Sequence, residues 1–455
     1  MSDYRDVSFW FDTLAASGAD DLAARPALAG DCEVDVAIVG AGLTGLWSAY
    51  YLLKRNPELR VILLEKEIAG FGASGRNGGW CSALFPSSTA ALERRHGLDA
   101  ALAMRRAMID TVAEVGRAAA AEGIDCDFAR GGTLLFARSK PQLARARREI
   151  AEAKHYGVDQ VQEVGERSHP AGTLATLLEP ACARVHPGKL VRGLARVVER
   201  MGATIAEHTE VLSWEAHAVA TSRGTVTANS IVIATEGFGA AVKQIHRRVL
   251  PLYSLMIATE PLPESFWDEV GIEHGHTFSD FRHLLIYGQR TADNRFAFGG
   301  RGARYHWGSA IHPGYDRAPR VFEHLRRALI ELFPQVSTAA ITHRWGGPIG
   351  VPRDWHAAVD FDAASGIAWA GGYVGDGLST TNLAGRTIAD LVTGTESELT
   401  ELPWVNHRSR SWEPEPLRFI GANLGLVAMD IADLEERVTR RPSLAAKVMA
   451  PLVGG

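Results

Sequence analysis

Apolar residues in this chain come in short blocks whose spacing alternates between two periods. Asp35-Val36-Ala37-Ile38-Val39 is a compact apolar block ending on Gly40, which predicts a strand buried on both faces. Leu43, Leu46, Trp47, Tyr50 and Leu53 then recur every three or four residues and predict an amphipathic helix that stops at Asn56-Pro57. Arg60-Val61-Ile62-Leu63-Leu64-Glu65 predicts a second buried strand, completing a βαβ unit. Downstream, helical spacing marks residues 90–122, 142–156, 190–201 and 383–392. Strand-like blocks occur at 131–136, 204–206, 211–212, 231–234 and 367–370, and residues 250–345 alternate strands with loops. The last stretch, residues 416–453, carries Ile420, Leu424, Val427, Met429, Ile431 and Leu434 at helical spacing, suited to packing on the body or on a neighbouring subunit. No internal repeat and no flexible linker interrupts the order.

Composition narrows the class. The chain has 455 residues, 46% hydrophobic and 22% charged, too apolar and too weakly charged for disorder. A net charge of −5 without a basic stripe excludes binding to nucleic acid through its phosphates. No apolar run reaches the length of a transmembrane helix. The start of the chain, with acids around Phe9-Trp10-Phe11, is no signal peptide, and four scattered cysteines are no disulfide framework. Both point to the cytoplasm. Partners are therefore expected among small molecules, and oligomeric state is left open.

The sharpest chemical signal is Gly40-Ala41-Gly42-Leu43-Thr44-Gly45, placed between the first strand and its helix, with Glu65 twenty residues beyond its last glycine. Gly40 permits the tight turn, Gly42 lets backbone N–H groups approach a pyrophosphate, and Gly45 lets helix and strand pack closely. The helix N-terminus adds partial positive charge, and Glu65, followed by Lys66, is placed to accept hydrogen bonds from a ribose. A dinucleotide is the expected ligand. There is no His-Glu-x-x-His and no Gly-x-Ser-x-Gly, so metalloprotease and nucleophile-elbow hydrolase chemistry are not indicated.

A second glycine-rich stretch, Gly72-Ala73-Ser74-Gly75-Arg76-Asn77-Gly78-Gly79, opens no βαβ unit of its own. Taken with the first motif it resembles the FAD-dependent amine and amino-acid oxidase superfamily of the D-amino-acid oxidase, glycine oxidase and sarcosine oxidase type, most of all its gamma-glutamylputrescine oxidase-like branch. Further segments follow in that family's order: the helix and strand leading to Val211, the strand end Thr235-Glu236-Gly237, and Gly371-Gly372-Tyr373-Val374-Gly375-Asp376-Gly377 continuing into Leu378, Ser379 and Thr380. The resemblance implies non-covalent FAD along these residues, with Trp345 also beside it. It implies an α/β fold: a Rossmann-type FAD-binding domain on a parallel sheet (1–95, 165–245, 345–400), a discontinuous α+β substrate domain on a mostly antiparallel sheet (96–164, 246–344), and a C-terminal helical extension (401–455).

The same resemblance implies oxidation of a C–N bond in a primary or secondary amine, with oxygen or another carrier as final acceptor. Tyr253, Tyr287, Trp345, Tyr373 and His343 are the candidate substrate-side residues, each equally suited to core packing. Two departures stand out. Family members that oxidise amino acids carry an Arg in a Gly-x-Arg-Pro segment, where this chain has Trp345-Gly346-Gly347-Pro348, which favours an amine without an α-carboxylate. Arg301 or Arg344 could replace that Arg, so an α-amino- or imino-acid oxidase remains the alternative, and a non-catalytic FAD-binding protein a more remote one. Asp376 stands where relatives often carry His, and is expected to point away from the flavin or to pair with a cation.

Overall fold

The computed structural model describes residues 4–165 and 170–449; the last residues of the expected C-terminal stretch, 450–453, lie outside them. The first sheet runs Ala358–Asp362, Ile367–Gly371, Gly224–Ile233, Cys32–Val39, Val61–Leu64, Thr204–Ala206, with all neighbours parallel except the first pair. Val36–Val39 and Val61–Leu64 are buried, as a strand covered on both faces must be. Helices Leu43–Arg55, Leu98–Ala121, Pro187–Arg200 and Gly377–Thr393 share one apolar core on one face. Trp214 and Val219, from strands Val211–Glu215 and Ala218–Thr221 that join the same sheet along Gly224–Ile233, help fill a smaller core on the other.

The second sheet runs Ile341–Val351, Leu250–Thr259, Phe296–Gly300, Ile286–Arg290, Thr277–Asp280, Thr133–Ala137, Ala175–Glu179, Gln162–Val164, antiparallel except between Thr277–Asp280 and Thr133–Ala137. Phe136, Phe278, Phe296 and Phe298 pack on it against Phe322, Leu325 and Leu329 of helix Pro319–Leu332. The chain thus visits each sheet more than once.

Several boundaries differ from the sequence reading. Helix Leu98–Ala121, expected in the substrate unit, turns Met104, Met108, Val112 and Val115 into the first core. Strand Ile341–Val351 belongs wholly to the second sheet, because it pairs along its length with Leu250–Thr259. The single helix expected over 90–122 is two, Thr89–His96 and Leu98–Ala121, broken where Gly97 takes φ +87°. The C-terminal extension forms helices Leu417–Thr439 and Leu444–Met449. It is docked by Arg145 to Glu436 (2.6 Å) and by Asp433, whose carboxylate accepts from the backbone N–H groups of His283 (2.7 Å) and Leu284 (2.8 Å).

The N-terminal aromatic triplet is buried on the body. Trp10 Nε1 donates to the Asn77 carbonyl (2.7 Å), Ser8 Oγ donates to the Gly75 carbonyl (2.7 Å), and a Cβ on Gly75 would meet the Phe11 ring at 2.6 Å. This arm therefore braces the second glycine-rich loop from behind.

The two sheets are joined by a buried carboxyl. Glu236, just past strand Gly224–Ile233, accepts from Gly350 N–H (2.7 Å) in the second sheet and Tyr373 N–H (3.0 Å) in the C-terminal glycine turn. Burial raises its pKa from 4.5 to about 7, against the pull of those backbone donors. A group that titrates higher folded than unfolded lowers stability as pH rises from 4.5 towards 7, since the unfolded chain gives up its proton first. Glu236→Ala leaves two buried N–H groups unpaired and should cost about 2–4 kcal/mol in urea unfolding. The variant should also lose stability less steeply than the parent over that pH interval; an unchanged unfolding midpoint would show that the clamp is unimportant.

Candidate FAD site

A cavity of about 650 Å³ opens between the two sheets, at the carboxyl ends of the parallel strands. One end is the first glycine turn. Gly40 has φ +103°, and a Cβ there would lie 2.7 Å from the Ala234 carbonyl; a Cβ on Gly45 would lie 2.1 Å from the Gly40 carbonyl. No larger residue fits either place. Gly42 begins helix Leu43–Arg55 without a side-chain cap, so the positive end of that helix faces the cavity. Ser74 Oγ accepts from Leu43 N–H (2.8 Å), and a Cβ on Gly42 would come within 2.9 Å of it. The second glycine-rich loop is thereby fastened to the first.

Glu65 closes the next strand. Its carboxylate accepts from the N–H groups of Ala41 (2.9 Å) and Glu67 (3.0 Å), while burial pushes its pKa up to about 7. Lys66, bonded to Glu210 (2.7 Å), and Val211 line the same end, with Thr235 and Gly237 along one wall. Asn77 shapes the loop from inside: its amide donates to the Ala73 (3.1 Å) and Ser74 (3.0 Å) carbonyls and its oxygen accepts from Gly79 N–H (2.8 Å).

The far end is the C-terminal turn. Gly375, Gly377 and Leu378 line it, where helix Gly377–Thr393 starts, again without a side-chain cap. The Tyr373 hydroxyl shares a 3.1 Å hydrogen bond with Thr44, linking the two helix N-termini. Two uncapped helix ends converging on one elongated cavity suit a ligand with negative charge at both places, as the pyrophosphate and reduced ring of FAD have. The glycines supply the close backbone approach this needs, so the residues present fit FAD.

The structure brings together Gly40, Gly42, Leu43, Thr44, Glu65, Lys66, Gly72, Ala73, Ser74, Arg76, Asn77, Val211, Thr235, Gly237, Tyr253, Tyr373, Gly375, Gly377 and Leu378 on the cavity wall. Other sequence candidates sit behind it. Ala41 and Gly45 support the first turn. Gly78 packs under Tyr287, Gly79 against Gln289, and Gly372 against Pro352. Ser379 donates to the Ser82 carbonyl and Thr380 to the Asp376 carbonyl.

Three substrate-side candidates are displaced from the cavity. His343 Nε2 bonds Asp12 (3.1 Å) with its ring on Phe9, Trp345 Nε1 donates to the Arg76 carbonyl (2.9 Å), and the Tyr287 hydroxyl pairs with Ser254 (2.7 Å). For His343 and Trp345 the reason is the N-terminal arm, whose aromatic rings cover that part of the strand.

The sequence reading missed Glu236, His312 and Asp316, all on the cavity wall. Glu236 lay in view, between Thr235 and Gly237; Asp316 comes from an inter-strand loop with no motif. Its partner is Arg76, whose guanidinium donates to Asp316 (2.9 Å) and to the carbonyls of Gly346 (3.1 Å) and Phe71 (2.8 Å). Burial lowers the Arg76 pKa and raises that of Asp316, and each charge opposes that drift in the other. Arg76 occupies the space beside Gly347: a Cβ there would lie 3.0 Å from Arg76 Cδ. Arg344 is spent at the surface on the Ile341 carbonyl. Arg301 donates to the Val374 carbonyl (2.7 Å); burial raises Asp376 to about 6, with the Arg301 charge pulling it back down, so Asp376 is the acid facing a cation. Cys81 is buried and off the cavity wall, and burial raises its thiol pKa.

Comparison with known proteins agrees with this geometry. The FAD dependent oxidoreductase (DAO) profile matches residues 35–391. The gamma-glutamylputrescine oxidoreductase of Escherichia coli K12 is 30% identical over 394 residues, covering 83% of this chain and 88% of the relative. A probable oxidoreductase OrdL of Haemophilus influenzae is 28% identical over 383 residues, covering 81% and 85%. Among solved structures, glycine oxidase from Geobacillus kaustophilus superposes with a TM-score of 0.68 at 21% identity, covering 82% of this chain and 99% of its own. With the profile spanning most of the chain and a relative at this identity along nearly its whole length, this chain belongs to the FAD dependent oxidoreductase family.

Proposed function

We propose that this FAD-dependent oxidoreductase oxidises the C–N bond of a primary or secondary amine that lacks an α-carboxylate. The observation that carries the reading is the Arg76–Asp316 pair. The buried cation nearest Gly347 is already neutralised by a carboxylate and bonded to two carbonyls, so it offers no free fork for a substrate carboxylate. Asp316, on the cavity wall, is a carboxylate of chemistry suited to an amine N–H. Tyr253, buried on the same wall beside His312, adds an aromatic edge and a hydroxyl.

FAD supplies the acceptor for a hydride equivalent. Two electrons and two protons leave the amine, the resulting imine takes up water, and an aldehyde or ketone and ammonia or a smaller amine are released. The chain's part is to hold the amine out of bulk water, where its neutral form is favoured, with its α-C–H towards the bound ring. The primary amine at the putrescine end of gamma-glutamylputrescine, the compound in the E. coli relative's name, is one such group, the molecule's carboxylate lying on its glutamyl end. Oxygen or another carrier then restores the oxidised cofactor. Four cysteines without a disulfide support a reducing, cytoplasmic setting, and no described helix is long and apolar enough to cross a membrane.

Three measurements test this. Gly42→Val fills the phosphate approach, so the variant should purify without the yellow colour and visible absorbance of the parent; a yellow variant would refute the placement. Anaerobic titration of the parent should bleach the flavin with simple amines and polyamines but not with amino acids. Asp316→Asn should lower kcat/KM for amines by about 10- to 100-fold, the worth of one charge-assisted hydrogen bond, and begin to admit carboxylate substrates. Bleaching of the parent by amino acids alone would overturn the proposal and favour the amino-acid alternative.

A further inference from the structure

Away from the cavity, three histidines from distant parts of the chain converge. His96 ends helix Thr89–His96, His356 precedes strand Ala358–Asp362, and His407 lies in the loop after the last helix of the FAD unit. One ring nitrogen from each lies within 4.8 Å of the other two. The His356 and His407 rings stack with centroids 3.9 Å apart, and Phe85 packs edge-on against His356.

The partners of two of these rings fix their tautomers. His356 Nδ1 is 2.7 Å from the Ala357 carbonyl, which can only accept, so the proton is on Nδ1 and Nε2 carries a lone pair. That Nε2 is buried and has no hydrogen-bond partner among the described residues. His407 Nε2 is 2.7 Å from the Asp354 carboxylate, which places its proton there and leaves Nδ1 with the lone pair. Ser409 also donates to Asp354 (2.6 Å). Imidazoles with one nitrogen held by a carbonyl, as in His356, or by a carboxylate, as in His407, are the arrangement in which proteins orient histidines towards transition metals.

We propose that His96, His356 and His407 form a site for a divalent transition-metal ion of the zinc class. All-nitrogen donors exclude calcium and magnesium, which require oxygen. At Zn–N distances near 2.0–2.1 Å, tetrahedral ligand atoms sit about 3.3 Å apart. The site must therefore contract from the present spacing, and His96, exposed at a helix end, is the ligand free to move. The fourth position is left to water. Such an ion would pin the end of helix Thr89–His96, the 352–356 turn and the 404–407 loop together, next to the C-terminal glycine turn, where a Cβ on Gly372 would already touch Pro352. Its role is to brace the fold, with no part in the redox step.

Equilibrium dialysis of tag-free, chelator-treated, flavin-loaded protein against zinc, read by elemental analysis, tests the site. One zinc per chain is expected in the parent, with at least tenfold weaker retention in His96→Gln and in His407→Ala. His96→Gln alters an exposed residue, and unchanged flavin absorbance reports that the fold is intact. No stoichiometric zinc in the parent, or equal retention in parent and His96→Gln, overturns the proposal.

Helix Leu417–Thr439 carries an independent feature. Leu417, Ile420, Leu424, Val427, Ile431, Leu434 and Val438 are spaced alternately by three and four residues, and each is 50–74% exposed. This is the 3/4 spacing of a coiled-coil seam, exposed along the helix. The other face of the helix is docked on the body through Asn423, Asp433 and Glu436. The exposed face carries Asp430 and Arg437 but no lysine, unlike the basic faces of helices that lie on membranes. Seven side chains leaving about 100 Å² each would bury roughly 1,400 Å² across two copies, inside the range of specific interfaces.

We infer that two copies of this chain pair through that seam about a two-fold axis. Sedimentation of the flavin-loaded protein should give twice 49.2 kDa for the parent and 49.2 kDa for Leu424→Glu/Ile431→Glu, with flavin content unchanged. A monomeric parent at tens of micromolar, whether or not it co-sediments with phosphatidylserine vesicles, or a dimer that survives the double substitution, overturns the inference.

Discussion

The structure depends on the Glu236 carboxyl, which holds three segments that are far apart in sequence. The strand it follows belongs to the parallel sheet, Gly350 belongs to the antiparallel sheet, and Tyr373 begins the turn into the last FAD-side helix. Two backbone N–H groups that would otherwise be buried and unpaired are satisfied by one side chain. The approach is so close that a Cβ on Gly350 would lie 2.1 Å from Glu236 Oε2. Because of it the cavity has a fixed width, and the two uncapped helix N-termini face one ligand at a set separation.

Around that clamp the electrostatics are divided by place. The ends of the cavity are positive through backbone N–H groups and helix dipoles, which attract phosphate and stabilise a reduced flavin without any mobile cation. Elsewhere charges neutralise each other: Arg76 with Asp316 on the wall, and Asp376 facing Arg301 behind the far turn. A site built this way favours a substrate that is itself uncharged at the moment of reaction. The cofactor fit and the amine preference proposed above rest on one distribution of charge.

Much of the fold was legible in the sequence because its determinants are local. The apolar blocks at 35–39 and 61–64 and the helical spacing from Leu43 to Leu53 each arise from neighbours within a few residues, and each gave an element at the expected place. The helix break at Gly97 was not read, since an exposed glycine within a helical pattern gives no sign of its φ. Trp345 and His343 were expected towards the substrate from the family resemblance of their segment, whereas the aromatic arm from the chain's start, some three hundred residues away, takes that surface.

The sequence by itself determined the βαβ unit, the positions where only glycine can stand, and through them the cofactor class, because backbone approach and dipole direction follow from residue type and short spacing. Tertiary structure alone decided what lies opposite what. Arg76 beside Gly347, Asp316 opposite Arg76, Glu236 between the sheets, and three histidines drawn from residues 96, 356 and 407 are pairings made across loops of tens to hundreds of residues. No local pattern encodes such contacts; they exist only once two sheets have closed on each other and removed the water between them.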